Sequence, residues 1–183
     1  MQDRRTVTSL TPPADTSSVP RAGVPLRRRV SAAIVLGVAV GSVVVDQITK
    51  SIAEHSLADG PVRLVLGARL VLTYNSGAAF SVGAGRSVVF TVLASLTISV
   101  LTAYAIWTRH RVAQAIAFGL VIGGAAGNLV DRLFRANGGR VIDFVEIARW
   151  WPVFNWADAS LFCGVALLLL LSFFEGGNER HRS

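Results

Sequence analysis

Four long apolar runs constrain this chain more than any other feature of its sequence. A helix rises 1.5 Å per residue, so crossing about 30 Å of hydrocarbon takes roughly 20 residues. The runs lie at about 30–48, 87–107, 112–130 and 157–174; the middle two are uncharged, the first carries Asp46 near its end and the fourth Asp158 at its start. Four core helices of a soluble protein would carry polar faces, and these runs have none. The expected fold class is an all-α polytopic membrane protein with four transmembrane helices, a small extracytoplasmic β-platform and a second outer loop.

The rest of the chain is organised around these runs. Residues 1–29 read as a flexible basic tail, because four of the six prolines (Pro12, Pro13, Pro20, Pro25) fall there without apolar period, and residues 175–183 form a second tail. The run from Val30 is followed by D-Q-I-T-K rather than a small-residue cleavage site, so it reads as a retained helix and not a cleaved signal. The net charge of +7 arises from 17 Arg and Lys50 against 11 acids, which on a soluble protein would suggest nucleic acid. Its distribution argues otherwise. Arg27 to Arg29 precede the first helix, Arg109 and Arg111 fill the turn between the second and third, and Arg180 and Arg182 follow the fourth. The positive-inside rule makes that side, with both termini, cytoplasmic. No nucleic-acid partner is expected. One Cys (Cys163) and three scattered His make neither a disulfide nor a four-ligand zinc site, so no metal or cofactor is expected either.

Polar chemistry gathers on the outer side, where seven of the 11 acids lie. The segment of about 51–86 holds P-V-R-L-V-L-G and R-L-V-L-T-Y, two β-prone runs that suggest a hairpin-like platform at the membrane surface. The segment of about 131–156 holds the extended stretch R-V-I-D-F-V-E-I and then Trp150, Trp151, Phe154 and Trp156, which suit either an interfacial anchor or a specific lipid contact. Gly119, Gly123 and Gly127 in the third run, and Gly37 and Gly41 in the first, are spaced to let neighbouring helices approach closely.

Ionisable groups at membrane depth cost about 2.5 to 3.5 kcal/mol at a helix centre, so each needs an explanation. Asp46 precedes Lys50 by four residues on one helix face, close enough to pair. Asp131 and Arg132 follow Asn128 at the outer end of the third run; Asp131 reads as structural, while the Arg132 fork suits a carboxylate or a substrate carbonyl equally. Asp143 and Asp158, 15 residues apart, both fall at the outer boundary. Folded together in a poorly solvated place they would share a proton, one activating water and the other donating to a carbonyl oxygen. The alternative is two unrelated acids, Asp158 capping the fourth helix and Asp143 pairing with Arg140 or Arg149. Neither H-E-x-x-H nor G-x-S-x-G occurs.

Five motifs in order, D-Q-I-T-K (Asp46 to Lys50), N-S-G-A-A-F (Asn75 to Phe80), G-G-A-A-G-N-L-V-D-R (Gly123 to Arg132), V-I-D-F (Val141 to Phe144) and F-N-W-A-D (Phe154 to Asp158), closely resemble the lipoprotein signal peptidase (signal peptidase II) family. The resemblance spans about residues 30–174. It implies a bacterial inner-membrane aspartyl endopeptidase that removes signal peptides from diacylglyceryl-modified prolipoproteins, cutting before the lipidated Cys at the outer leaflet, with membrane lipids as partners and globomycin-type inhibitors. It implies Asp143 and Asp158 as the catalytic dyad, and Asp46, Lys50, Asn75, Gly77, Asn128, Arg132 and Asn155 as residues that bind substrate or shape the site. The alternative from another class is a non-enzymatic four-helix transporter or assembly protein whose acids serve ion pairs or proton movement.

Overall fold

The computed structural model describes residues 26–76 and 86–179. The elements run α1 (Arg28–Ser56), β1 (Val62–Arg63), β2 (Arg69–Asn75), α2 (Arg86–Trp107), α3 (Val112–Phe134), β3 (Val141–Glu146) and α4 (Trp156–Glu179). α3 is central and packs along both α1 and α4, with α2 against α3 and α1. Helices α1, α3 and α4 are long and apolar enough to cross a membrane; the apolar stretch described in α2, Thr91–Trp107, is shorter.

Packing within the bundle is inside-out compared with a soluble protein. The buried stripe of α1 is Ser31, Val35, Ala39, Ser42, Asp46, Lys50 and Ala53, mostly small or polar. Its outer face presents Val30, Leu36, Val40, Val44, Val45, Ile48 and Ile52. Lipid offers no hydrophobic drive toward association, so close approach and interhelical hydrogen bonds hold such helices together. Ser42 and Ser160 are 2.7 Å apart oxygen to oxygen across α1 and α4. A Cβ on Gly123 would sit 2.7 Å from the Ala39 carbonyl oxygen, and one on Gly124 would sit 2.4 Å from that of Ala157. The small-residue stripe of α3 is thus a two-sided seam for α1 and α4. Gly37 and Gly41 differ from the expectation: nothing lies within 4 Å of a Cβ at either, so they seat no helix among the described residues.

Several element boundaries also differ from the sequence reading. α1 continues eight residues past Ile48, because S-I-A-E-H-S contains no breaker before Gly60 and Pro61. At 29 residues it is about 44 Å long, more than about 30 Å of hydrocarbon needs. The basic tail loses Arg28 and Arg29 to α1; residues 1–25 and Gly77 lie outside the described residues.

The two outer segments form one sheet rather than a platform and a separate loop. Its order is β1-β2-β3, all antiparallel, with Thr73 opposite Asp143 and Asn75 opposite Val141. β1 is only two residues long, because Val65–Gly67 closes into a 3₁₀ turn with Leu66 in the left-handed region at φ 58°. R-V-I-D-F-V-E-I supplies β3, whose buried Val141 and Ile142 seat it on the ends of α1 and α3. After β3 the chain turns back: Phe144 and Val145 donate to the Phe154 carbonyl at 3.1 and 2.8 Å, and the Phe154 amide donates to Val145 at 3.0 Å. That short bridge returns the start of α4 to the strand bearing Asp143.

Candidate active site

A buried ionic cluster forms the base of the site. Asp46, Lys50 and Asp131 are wholly inaccessible. Lys50 Nζ lies 2.8 Å from Asp46 Oδ2 and 2.8 Å from Asp131 Oδ2, and donates to Asn128 Oδ1 at 3.0 Å, which occupies all three of its N–H groups. Asp46 Oδ1 accepts the Ala157 amide at 2.9 Å, and Asp131 Oδ2 accepts the Ile142 amide at 3.0 Å, so the two carboxylates also hold the start of α4 and of β3. The expected Asp46–Lys50 pair is present. Asp131 is structural, but its cationic partners are Lys50 and Arg135 rather than the adjacent Arg132. Sequence reading missed Arg135, which also pairs with Glu54, and Gln47, whose amide donates to Asp131 Oδ1 at 2.9 Å. The Asp131–Arg135 spacing of four was the available signal.

Above the cluster lie two asparagines. Asn128 accepts from Lys50 through Oδ1 and donates through Nδ2 to Asp158 Oδ1 at 2.8 Å. Asn155 is fully buried; its Nδ2 donates to Asp143 Oδ1 at 2.6 Å, to Asn128 Oδ1 at 3.1 Å and to the Ile142 carbonyl at 3.1 Å. Asn155 is also the N-cap of α4: its Oδ1 accepts the Asp158 amide at 3.0 Å while Asp158 Oδ2 accepts the Asn155 amide at 3.2 Å. This reciprocal cap satisfies two amides that a helix start leaves open.

The two outer acids therefore meet through one residue. Asp143 is 2% exposed and accepts from Asn155 and, through Oδ2, from Asn75 Nδ2 at 2.9 Å. Burial pushes its carboxyl up to about 6, with the Asp158 charge adding to the rise and the hydrogen bonds from Asn75 and Asn155 opposing it. Among the described residues neither acid makes an ion pair. The alternative partners of Asp143 are otherwise engaged or absent: Arg140 Nε donates to the Asn137 carbonyl at 2.7 Å and its guanidinium lies over the Tyr74 ring. The other alternative, Asp158 as a cap, is present, and the cap is what brings Asp158 to Asp143. Arg132 interacts electrostatically with Asp131, Asp158 and Asp143, and its buried Nε has no hydrogen-bond partner.

Acids held together by neutral amides, beside an arginine with an unused donor, suit proton transfer to and from a bound carbonyl compound. Residues 38–174 match the family model described as signal peptidase (SPase) II. The chain belongs to the signal peptidase II family. It is 39% identical over 143 residues to a lipoprotein signal peptidase of Syntrophomonas wolfei, covering 77% of this chain and 93% of that one. It is also 39% identical over 163 residues to a lipoprotein signal peptidase of Mycobacterium bovis, covering 85% and 77%. A solved structure described as a bacterial membrane enzyme superposes with a TM-score of 0.68 at 26% identity, over 75% of this chain and 90% of that one. As a signal peptidase II family member the chain is a peptidase of lipoprotein processing.

Proposed function

We propose that the chain is an aspartyl endopeptidase that cuts diacylglyceryl-modified prolipoproteins immediately before the lipidated Cys, with Asp143 and Asp158 as the dyad. The observation that carries this reading is the pair itself: two carboxylates joined through Asn155, with no ion pair to either among the described residues, one of them buried and pushed up to about 6. In the reaction one carboxylate takes a proton from water as its oxygen bonds to the scissile carbonyl carbon. The other donates its proton to the carbonyl oxygen. Collapse of the gem-diol breaks the C–N bond, the Cys nitrogen leaves with a proton, and the pair is restored with one proton. Asn75 fixes Asp143 from β2, and the Arg132 guanidinium holds a carbonyl of the bound peptide.

Topology fits that chemistry. α2 is the fourth crossing, the Arg-flanked ends and both termini lie in the cytoplasm, and the sheet with the dyad lies at the outer leaflet of the inner membrane. There a lipidated Cys keeps its acyl chains in the bilayer while its peptide reaches the acids. Trp150, Trp151 and Trp156, all exposed, meet the lipid interface around that entrance. The transporter or assembly alternative loses its ground, because the family is one of peptidases.

The test is purified protein with a diacylglyceryl prolipoprotein. Cleavage blocked by globomycin is expected, and Asp143→Asn and Asp158→Asn should each lose at least about a hundredfold in rate, the lower end of what a positioned acid or base contributes. Activity retained in either folded variant overturns the dyad.

A further inference from the structure

We infer that Lys50, which touches neither acid, is a positioning residue that orients Asn128 and thereby makes Asp158 the water-activating carboxylate, leaving the proton of the pair on Asp143. The inference rests on the dyad reading and adds to it which acid does which task. A primary amide of Asn128 could in principle offer either end to Asp158. The Lys50 ammonium at 3.0 Å removes the choice, since a turned amide would set its NH₂ against three N–H donors with no acceptor between them. Lys50 is itself immobile, pinned at 2.8 Å by Asp46 and at 2.8 Å by Asp131. Asn128 Nδ2 is therefore committed to Asp158 Oδ1.

The two acids are unequal in ways that assign the charge. Asp158 stands in the first turn of α4, where aligned peptide dipoles favour an anion, and each of its oxygens receives a dedicated N–H, from Asn128 and from the Asn155 backbone. Asp143 stands on a strand and is almost wholly buried; its Oδ2 also receives a donor, Asn75 Nδ2, but its Oδ1 shares the Asn155 amide with Asn128 and the Ile142 carbonyl. Two hydrogens serve three acceptors there. The charged groups around the pair are Asp46 and Lys50 from α1, and Asp131 and Arg132 from α3. Asp46 and Asp131 are neutralised within the cluster, which leaves Arg132 and Lys50 as the cationic influences on the dyad, Lys50 reaching Asp158 through Asn128 and Asp143 through space.

The test compares pH profiles of kcat/KM on the lipidated substrate. Lys50→Met alone strands buried acids, so the pair to compare is D46N with D46N/K50M, in which one anion and one cation leave together. The acid limb should move up by about one pH unit in D46N/K50M relative to D46N, as expected when a positive charge stops supporting a carboxylate, with the rate recovering as pH rises. D46N/K50Q, which restores an N–H toward Asn128, should return most of that shift. Asn128→Ser interrupts the link while every buried charge keeps its partner, and should move the limb the same way, so the outcome does not hang on how well the double variant folds. Acid limbs that coincide in D46N and D46N/K50M, or in wild type and N128S, overturn the role of Lys50. D143N and D158N are run alongside: if both are inactive while the limb stays fixed, only the present inference fails, and if either cleaves, the dyad reading fails with it.

Discussion

Asp46 and Asp131 divide one lysine between them, whereas Asp143 and Asp158, one asparagine away, are held by amides alone. Both pairs are acidic and both tie helix ends to the sheet, although Asp158, unlike the other three, is only half-buried. The first has its charge cancelled by Lys50 and Arg135 and its oxygens filled by the amides of Ala157 and Ile142. The second pair is held by hydrogen bonds with no ion pair among the described residues, although Arg132 acts on both acids through space. The chain's one lysine thus serves Asp46 and Asp131 rather than the acids of the proposed dyad.

Removing the cation should break the first pair most severely. Lys50→Met leaves Asp46 without a cation and Asp131 with Arg135 only, in a place with no water. Breaking a buried pair in this way costs about 3 to 5 kcal/mol, and thermal unfolding in detergent should show a large fall or no folded protein at all. A small change would mean that the cluster is hydrated in solution, and the contrast with the dyad would lose its basis.

Neutralising an acid of the second pair should do the reverse. Asp143 ionises near 3.8 when unfolded and at about 6 in the folded chain, so the native state holds a proton that the unfolded chain has released between those values. Stability from this group is fully present below about 3.8 and is lost as pH rises through about 6, a difference of about 3 kcal/mol. Asp143→Asn should accordingly melt higher than wild type at pH 7.5, with the two converging near pH 4, while being inactive. A melting difference that is independent of pH would place the ionisation of Asp143 elsewhere.

What could be read from the sequence follows the same division between local and remote contacts. Asp46 and Lys50 are four apart on one helix, and their pairing was visible from spacing. The Asp131–Lys50 contact crosses from α3 to α1 and depends on how closely the backbones approach, which no spacing expresses. Asp143 and Asp158 could be placed at one boundary, yet their link depends on the Val145–Phe154 bridge and on Asn155 bonding both; of the unrelated-acid alternative, the cap at Asp158 is present, while no ion pair of Asp143 is found among the described residues. The sheet was half legible: its β-branched runs were evident, but pairing β2 with β3 is a contact between segments separated by a whole helical hairpin. Gly37 and Gly41 mark the opposite error, a motif that permits close packing without requiring it.

Those glycines give the finest test of how the ionic cluster is supported. A Cβ on Gly127 would lie 2.6 Å from Asp46 Oδ2, and Asp46 cannot yield without loosening its contacts with Lys50 and the Ala157 amide. Gly127→Ala should therefore cost about 1 to 3 kcal/mol, the range for overpacking an ordered interior. A Cβ on Gly41 meets nothing within 4 Å, so Gly41→Ala should be neutral or gain about 0.5 to 1 kcal/mol from the better helix former. The same methyl group, added to two helices of one bundle, then separates a face that locates charge from a face that only meets lipid. An equal loss at both sites would mean that a further helix, from another molecule, covers Gly41; a loss at Gly127 alone would tie the protein's stability to the place where α3 presses the carboxylate of Asp46 onto Lys50.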